Sequence, residues 1–196
     1  MEMQESYMDR VRIRGAAAGD AAKIRAIYAP YVEHTAITFE TAVPSEEEFR
    51  RRIASTLQRY PYLAAEQDGR IVGYAYAGPF KQRACYDWSC ETTVYVDSTA
   101  HGRGIGRVLY EELEKRLRAQ GIRTMYACIA YPEAEDEYLD YTSPRFHEKL
   151  GFTTCGEFHH CASKFGRWYN MIWMEKPIAD YPNDPAPVRW PEYDGF

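Results

Sequence analysis

"VYVDSTAHGRGIGRVLYEEL", residues 94–113, decides the fold, because three kinds of pattern meet in it. "VYV" is the β-branched and aromatic end of a strand, with "ETTVYV" starting at Glu91. Gly102, Gly104 and Gly106 punctuate the middle. From Ile105 onward, Leu109, Leu113 and Leu117 recur every four residues, as on one face of a helix that Gly121 closes. A strand therefore runs through a glycine-rich turn into a helix. That arrangement offers free backbone N–H groups and the positive end of a helix dipole, which together hold phosphate groups. Arg103 and Arg107 add positive charge. No Gly-Lys-Ser/Thr follows, which excludes a Walker loop, and Arg107 or Leu109 stands where the last glycine of a dinucleotide-binding G-x-G-x-x-G belongs. A glycine-rich turn without a ligand is the alternative.

Outward from this stretch the chain alternates. "VRIR" is a short strand, and Asp20 starts a helix with Ile24, Ile27, Tyr28 and Tyr31 on one face, which Pro30 should end or kink early. Ser45 followed by Glu48 is a capping box for a second helix carrying Phe49, Ile53, Leu57 and Tyr60. "YLAAEQ", Asp68-Gly69 and "RIVGYAYAG" form a hairpin, since Asp-Gly adopts the positive φ angles of a tight turn. After the central helix, with expected pairs Glu111/Lys115, Glu112/Arg116 and Glu114/Arg118, come the strand "TMYACIAY", a short helix capped by Ser143-Pro144, and strands near "TCGEFHH" and "RWYNMIWME". The order β-α-α-β-β-β-α-β-α-β-β is a single α+β domain over residues 11–176 with one central sheet. Residues 177–196 hold five of the eleven prolines and form an extended tail, docked or mobile.

The 196 residues suffice for one domain, and 45% hydrophobic residues supply its core. A net charge of −5 with basic residues scattered among acids carries no nucleic-acid footprint. No segment approaches the about 20 apolar residues of a membrane span, and the first residues lack a secretory h-region. Five cysteines without C-x-x-C spacing suit a reducing cytoplasm rather than a disulfide framework. "HHC" at 159–161 is no metal site, because consecutive strand residues point to opposite faces. Trp88, Trp168 and Trp173 are expected in core or dimer packing.

The quoted stretch resembles the acetyl-CoA-binding segment of the GNAT acetyltransferases, whose pattern is Gln/Arg-x-x-Gly-x-Gly/Ala after a central strand. His101 replaces the first residue. "TFE", "YPYLAAEQDGRIVGYAYAGPFKQRACYDW", "FHEKLGF" and "KFGRWY" extend the resemblance, over residues 11–175, to the branch that acetylates phosphinothricin and methionine sulfoximine. It implies a mixed, mostly antiparallel sheet flanked by about four helices, a homodimer, and an acetyl-CoA-dependent N-acetyltransferase acting on the primary amine of a small, amino-acid-like molecule. A peptide or protein acetyltransferase, and a CoA-binding module without catalysis, are the competing readings.

A free α-amino group has a pKa of about 8 and a lysine-like amine about 10.4, so a general base helps acetyl transfer. Glu91, the charged residue opening an otherwise β-branched and aromatic strand, is the candidate, and the resemblance supports it. The resemblance also selects His147, which could shuttle protons near neutral pH. It further implies that Val94, Tyr95 and Val96 pair with the pantetheine arm, and that Gly102, Arg103, Gly104, Ile105, Gly106 and Arg107 cradle the pyrophosphate. Lys81 and Arg83, followed by Tyr86, suit the acid end of an amino acid, with Phe39 and Tyr86 lining the same pocket by resemblance. No metal is expected. Two departures stand out: "PEAEDEYLDYTS", residues 132–143, is an acidic insertion of seven residues relative to the family, and Tyr169-Asn170 replaces a His-Asp pair. The insertion is either a solvated loop or a lid on the acceptor pocket.

Overall fold

A computed structural model describes residues 11–191. Along the chain lie β1 (Val11–Gly15), α1 (Ala21–His34), α2 (Glu46–Leu57), β2 (Tyr62–Gln67), β3 (Arg70–Pro79), β4 (Ser89–Val96), α3 (Ile105–Gln120), β5 (Thr124–Tyr131), α4 (Thr142–Lys149), β6 (Thr153–Lys164) and β7 (Arg167–Pro177). This is the alternation read from the sequence. The strands form one sheet in the order β1-β2-β3-β4-β5-β7-β6. Among the described residues, only β4 and β5 run parallel.

Local chemistry explains most element boundaries. Asp68 and Gly69 take φ of 48° and 77°, the left-handed values a two-residue hairpin turn needs. The Ser45 side chain accepts from Glu48 N–H at 3.1 Å, but the Glu48 carboxylate turns to Arg51 and Arg52 instead of completing the capping box.

Each face of the sheet carries its own core. Ile105, Leu109, Leu113 and Leu117 of α3 cover one face; Ile24, Ile27 and Tyr28 of α1 with Phe49 and Ile53 of α2 cover the other. Each fully buried large aliphatic contributes about 1.5–3 kcal/mol.

Three further expectations need correction. Pro30 lies inside α1, which continues to His34. The hydrogen bond lost at the proline is offset in that last turn, where Val32 is buried and the Tyr31 hydroxyl donates to Val96 O at 2.6 Å. Glu111 pairs with Arg107 at 2.7 Å, which leaves Lys115 to Glu112 at 3.7 Å. α4 begins before Ser143, because Asp140 Oδ1 accepts Thr142 N–H at 2.8 Å and sets the first turn.

The tail is docked as far as it is described. Ile178 N–H donates to Arg123 O at 2.8 Å and Arg189 N–H to Gln120 O at 2.7 Å, while Trp190 packs against Tyr60 and beneath Arg59. Residues 192–196 of the tail lie outside the described residues.

One feature of the sheet positions the site. β3 follows β4 through Val96, and β5 follows β7 to Tyr131, but β4 and β5 pair only from Ser89–Thr124 to Glu91–Tyr126. Beyond Glu91 the sheet opens like a fork, with Thr92 at the crotch.

Candidate active site

Backbone groups line one arm of the fork. Asp97 N–H donates to Val72 O at 2.9 Å, so by the alternation of an antiparallel strand the main-chain groups of Thr92, Val94 and Val96 point away from β3 and into the opening. Val96 O is already engaged: it accepts from Tyr31 and lies 3.0 Å from His101 Nε2. That nitrogen also sits 2.8 Å from the Tyr31 hydroxyl. His101 thus ties the glycine turn to α1 and to the end of β4. The main-chain groups of Val94 and the N–H of Val96 are left facing the opening.

The glycine turn follows directly. Asp97 Oδ1 takes the Thr99 N–H at 2.9 Å and starts the loop. Gly102 and Gly104 have φ of 72° and 83°, a region that costs an ordinary residue about 1–2 kcal/mol. Gly104 is the N-cap of α3 and supplies no side-chain cap, so the first N–H groups of the helix stay available to an anion. A side chain at Gly106 would begin 3.1 Å from the Phe146 ring, which holds α4 against the start of α3.

A cavity of ≈ 590 Å³ runs from the α1/α2 face through the fork to Tyr110 of α3 and His147 of α4; Phe39, Glu91, Val94 and Tyr95 also border it. Glu91 is half-buried at the last paired position of β4. Burial raises its pKa, and the Lys81 charge works in the opposite direction. Lys81, Arg83 and Tyr86 do not border this cavity. They occupy the exposed loop after β3, with Lys81 Nζ 5.3 Å from the Trp173 ring and Tyr86 edge-on to Phe80 at 5.9 Å.

His147 is buried, not on the helix surface. Its Nδ1 lies 2.8 Å from Ser143 O, an acceptor, so Nδ1 carries the hydrogen and Nε2 accepts from the Tyr110 hydroxyl at 3.0 Å. Burial pushes its pKa down to about 4 against the opposing Ser143 bond. The ring is therefore neutral near neutral pH. Tyr110 also reaches Thr92 Oγ1, at 3.2 Å, which places this pair at the crotch.

Residues 132–143 are a strap rather than a solvated loop. Ala36 N–H donates to Tyr138 O at 2.9 Å, and Leu139 is buried with Ala36, Ala130 and Tyr169. Asp136 accepts the N–H groups of Tyr138 and Leu139 and the Tyr169 hydroxyl at 3.0 Å, and it pairs with Arg167 at 2.9 Å. Burial opposes ionisation of Asp136, yet these partners hold its pKa below the usual carboxylate range. Leu139 and Ser143 border the cavity. The two family departures thus meet physically, since Tyr169 fastens the strap.

"HHC" is not regular strand either. Its residues fall where the β6–β7 register shifts between Phe158 and Ala162, and His160 has φ of 48°. The sequence reading missed Tyr28, Glu40, Arg52, Tyr76 and Leu139 on the cavity wall. Only Tyr74 and Tyr76, alternating along one strand, left a signal that could have found the wall.

Comparison with known proteins gives this geometry a family. The model of the acetyltransferase (GNAT) domain matches residues 13–173. The chain belongs to the GNAT acetyltransferase family. It is 36% identical over 179 residues to the phosphinothricin N-acetyltransferase of Streptomyces viridochromogenes, covering 91% of this chain and 93% of that protein. It is 31% identical over 170 residues to the L-methionine sulfoximine/L-methionine sulfone acetyltransferase of Salmonella typhimurium, covering 86% and 95%. The crystal structure of a phosphinothricin acetyltransferase from Sinorhizobium meliloti in complex with AcCoA superposes with a TM-score of 0.83 at 32% identity, covering 94% of this chain and 97% of that one.

This GNAT chain is accordingly an acyltransferase whose acetyl donor is acetyl-CoA. The residues present fit that donor. Left-handed glycines and an uncapped α3 suit a pyrophosphate, and the outward main chain of Val94 and Val96 suits an arm bearing amides. When bound, acetyl-CoA supplies a thioester carbonyl open to attack by an amine. Among the described residues, no helix is long and apolar enough to cross a membrane.

Proposed function

We propose that this GNAT acetyltransferase acts on the primary amine of a free, amino-acid-like acceptor, which attacks directly while donor and acceptor are both bound. The observation that carries this reading is the position of Glu91: a half-buried carboxylate where the side-chain cavity meets the backbone-lined fork. Two named relatives act on phosphinothricin and on methionine sulfoximine or sulfone, which are amino-acid-like amines.

In this reading Glu91 takes the proton that the acceptor ammonium must lose, and burial makes its carboxylate a stronger base than an exposed one. Val94 N–H, turned into the opening, is the donor for the oxyanion. His147, neutral and acceptor-only at Nε2, positions the Tyr110 hydroxyl rather than carrying a proton itself. The glycine turn, from Gly102 to Arg107, holds the donor's pyrophosphate. We further propose a cytoplasmic homodimer. Five free cysteines, four of them exposed, support a reducing compartment, and the exposed Phe158 and Trp168 on the outer two strands support a covered surface.

A thiol-release screen of free amino acids and short peptides tests the proposal. Turnover of free amino acids is expected. Turnover of peptides alone would overturn the small-acceptor reading, and acetyl-CoA binding without thiol release from any amine would leave only a CoA-binding module.

A further inference from the structure

The strap, residues 132–143, is wedged against the acceptor side of the site. Leu139 is 3% exposed and clusters with Ala36, Ala130 and Tyr169, and Ile37 and Phe39 pack against that cluster. Ile37, Phe39, Ala130 and Leu139 also border the cavity, as does Met171, which faces Ala130 across β5 and β7. These five side chains form an apolar end. Phe39 is a residue that the family resemblance places in the acceptor pocket, so an insertion peculiar to this chain meets a shared acceptor wall there.

The strap side of this end is fixed. Asp136 holds both main-chain groups of Leu139: its Oδ1 accepts the Leu139 N–H at 2.9 Å, and its own N–H donates to Leu139 O at 3.0 Å. Beside it, Tyr138 stacks on Phe165 with ring centres 4.3 Å apart, and Arg167 Cζ lies 5.2 Å from the Tyr138 ring centre. The Tyr141 hydroxyl closes the strap on itself by donating to Pro132 O at 3.2 Å. None of the five apolar residues carries a charge, and the two arginines on the cavity wall, Arg51 and Arg52, are engaged by Glu40 and Glu48. An anionic group pressed against Leu139 would be buried without a counter-ion, whereas methylenes gain by burial there.

We infer that Leu139 sets the depth of the acceptor site, so that the acceptor is an amino acid whose apolar, uncharged side chain ends against the strap while its amine lies at Glu91. This rests on the amino-acid-like acceptor of the preceding section and names its side-chain class and a specificity-determining residue. It also separates this chain from a relative: phosphinothricin, the acceptor in that protein's name, ends in a phosphinate anion, for which the apolar end offers no partner. Each methylene added toward Leu139 should raise kcat/KM about fourfold. The first one too many should cost about 10-fold or more.

Thiol-release kinetics test this in wild type, Leu139→Ala and Leu139→Val, with free L-amino acids bearing unbranched side chains from alanine to 2-aminooctanoate, and with glutamate and phosphinothricin. Wild type should show one optimum length. Leu139→Ala should move that optimum about two carbons longer and Leu139→Val about one, through the acceptor KM, with KM for acetyl-CoA within about twofold of wild type. Glutamate and phosphinothricin should fall about 10-fold or more below the apolar acceptor of matching length in kcat/KM. If Leu139→Ala does not fold, Leu139→Val carries the test. A Leu139 that served the fold alone would, when shortened, weaken turnover of every length alike and leave the optimum in place. That result, a wild type indifferent to chain length, or a preference for glutamate or phosphinothricin would overturn the assignment. Absence of thiol release with every free amino acid would instead overturn the acceptor reading on which it rests.

Discussion

The two faces of the sheet at the fork are built from different materials. On the α3 side the site is made chiefly of main chain, with the Tyr110 and His147 side chains at the end of the cavity: the outward groups of Val94 and Val96, two left-handed glycines and the bare start of a helix. On the α1/α2 side it is made of side chains: Phe39, Arg52, Tyr76 and Glu91 around a cavity, closed by Leu139 of the strap. A donor shared by a whole family can be held by backbone, which every sequence possesses. An acceptor that differs between members has to be met by side chains, which can change without disturbing the sheet.

Changes confined to one face should therefore disturb one substrate, and changes at the junction should disturb the reaction itself. The largest effect is expected at the junction: Glu91→Gln should lower kcat by about 100- to 10,000-fold while both KM values stay within a few-fold. An unchanged kcat would remove Glu91 as the base. Gly104→Val forces a branched residue into φ of 83° and covers the helix N–H groups. Its KM for acetyl-CoA should rise about 10-fold or more, with the acceptor KM unmoved; a rise in the acceptor KM alone would reverse the division of labour.

His147 links the faces through stability. Its pKa is depressed from the ordinary 6.5 to about 4, so between those values the unfolded chain binds a proton that the folded chain excludes. Stability should fall by about 3 kcal/mol as pH drops through that window. Urea unfolding at pH 7 and pH 4.5 would show it, and His147→Gln should lose less stability over the same interval; an equal loss would assign the acid sensitivity elsewhere. The smallest effect belongs to Lys81. Its charge favours the Glu91 carboxylate against burial, so Lys81→Gln should raise the Glu91 pKa and move the acid limb of kcat/KM to higher pH. A move to lower pH would contradict that sign.

The same contrast explains what the sequence disclosed. The backbone-made side lies in one continuous run, residues 94–113, where glycine spacing and apolar periodicity report local conformation directly. The hairpin at Asp68-Gly69 and the helix beginning at Ser45 were legible for the same reason. The acceptor side draws on residues from Phe39 to Leu139 that only the folded sheet brings together. Three successive arginines at 50–52 look alike in the sequence; the fold alone turns Arg52 toward Glu40. Lys81 and Arg83 had suitable chemistry but sit past the end of β3, outside the cavity. His147 carried no sign of burial, because the hydroxyl that meets it belongs to Tyr110, on another helix. Nor did the acidic letters of the insertion show that Asp136 would be fastened by Tyr169 and Arg167.

The division between faces is tested most directly by filling the cavity and measuring both substrates. Thr93 lies on the cavity wall one residue beyond the crotch, and Thr93→Phe places a ring there that a strand accommodates readily. Calorimetric titration of this variant with acetyl-CoA should give a Kd within about twofold of wild type, while kcat/KM for the acceptor falls by about 30-fold or more. A parallel loss of acetyl-CoA affinity, with acceptor KM unchanged, would show that the cavity belongs to the donor and contradict the account.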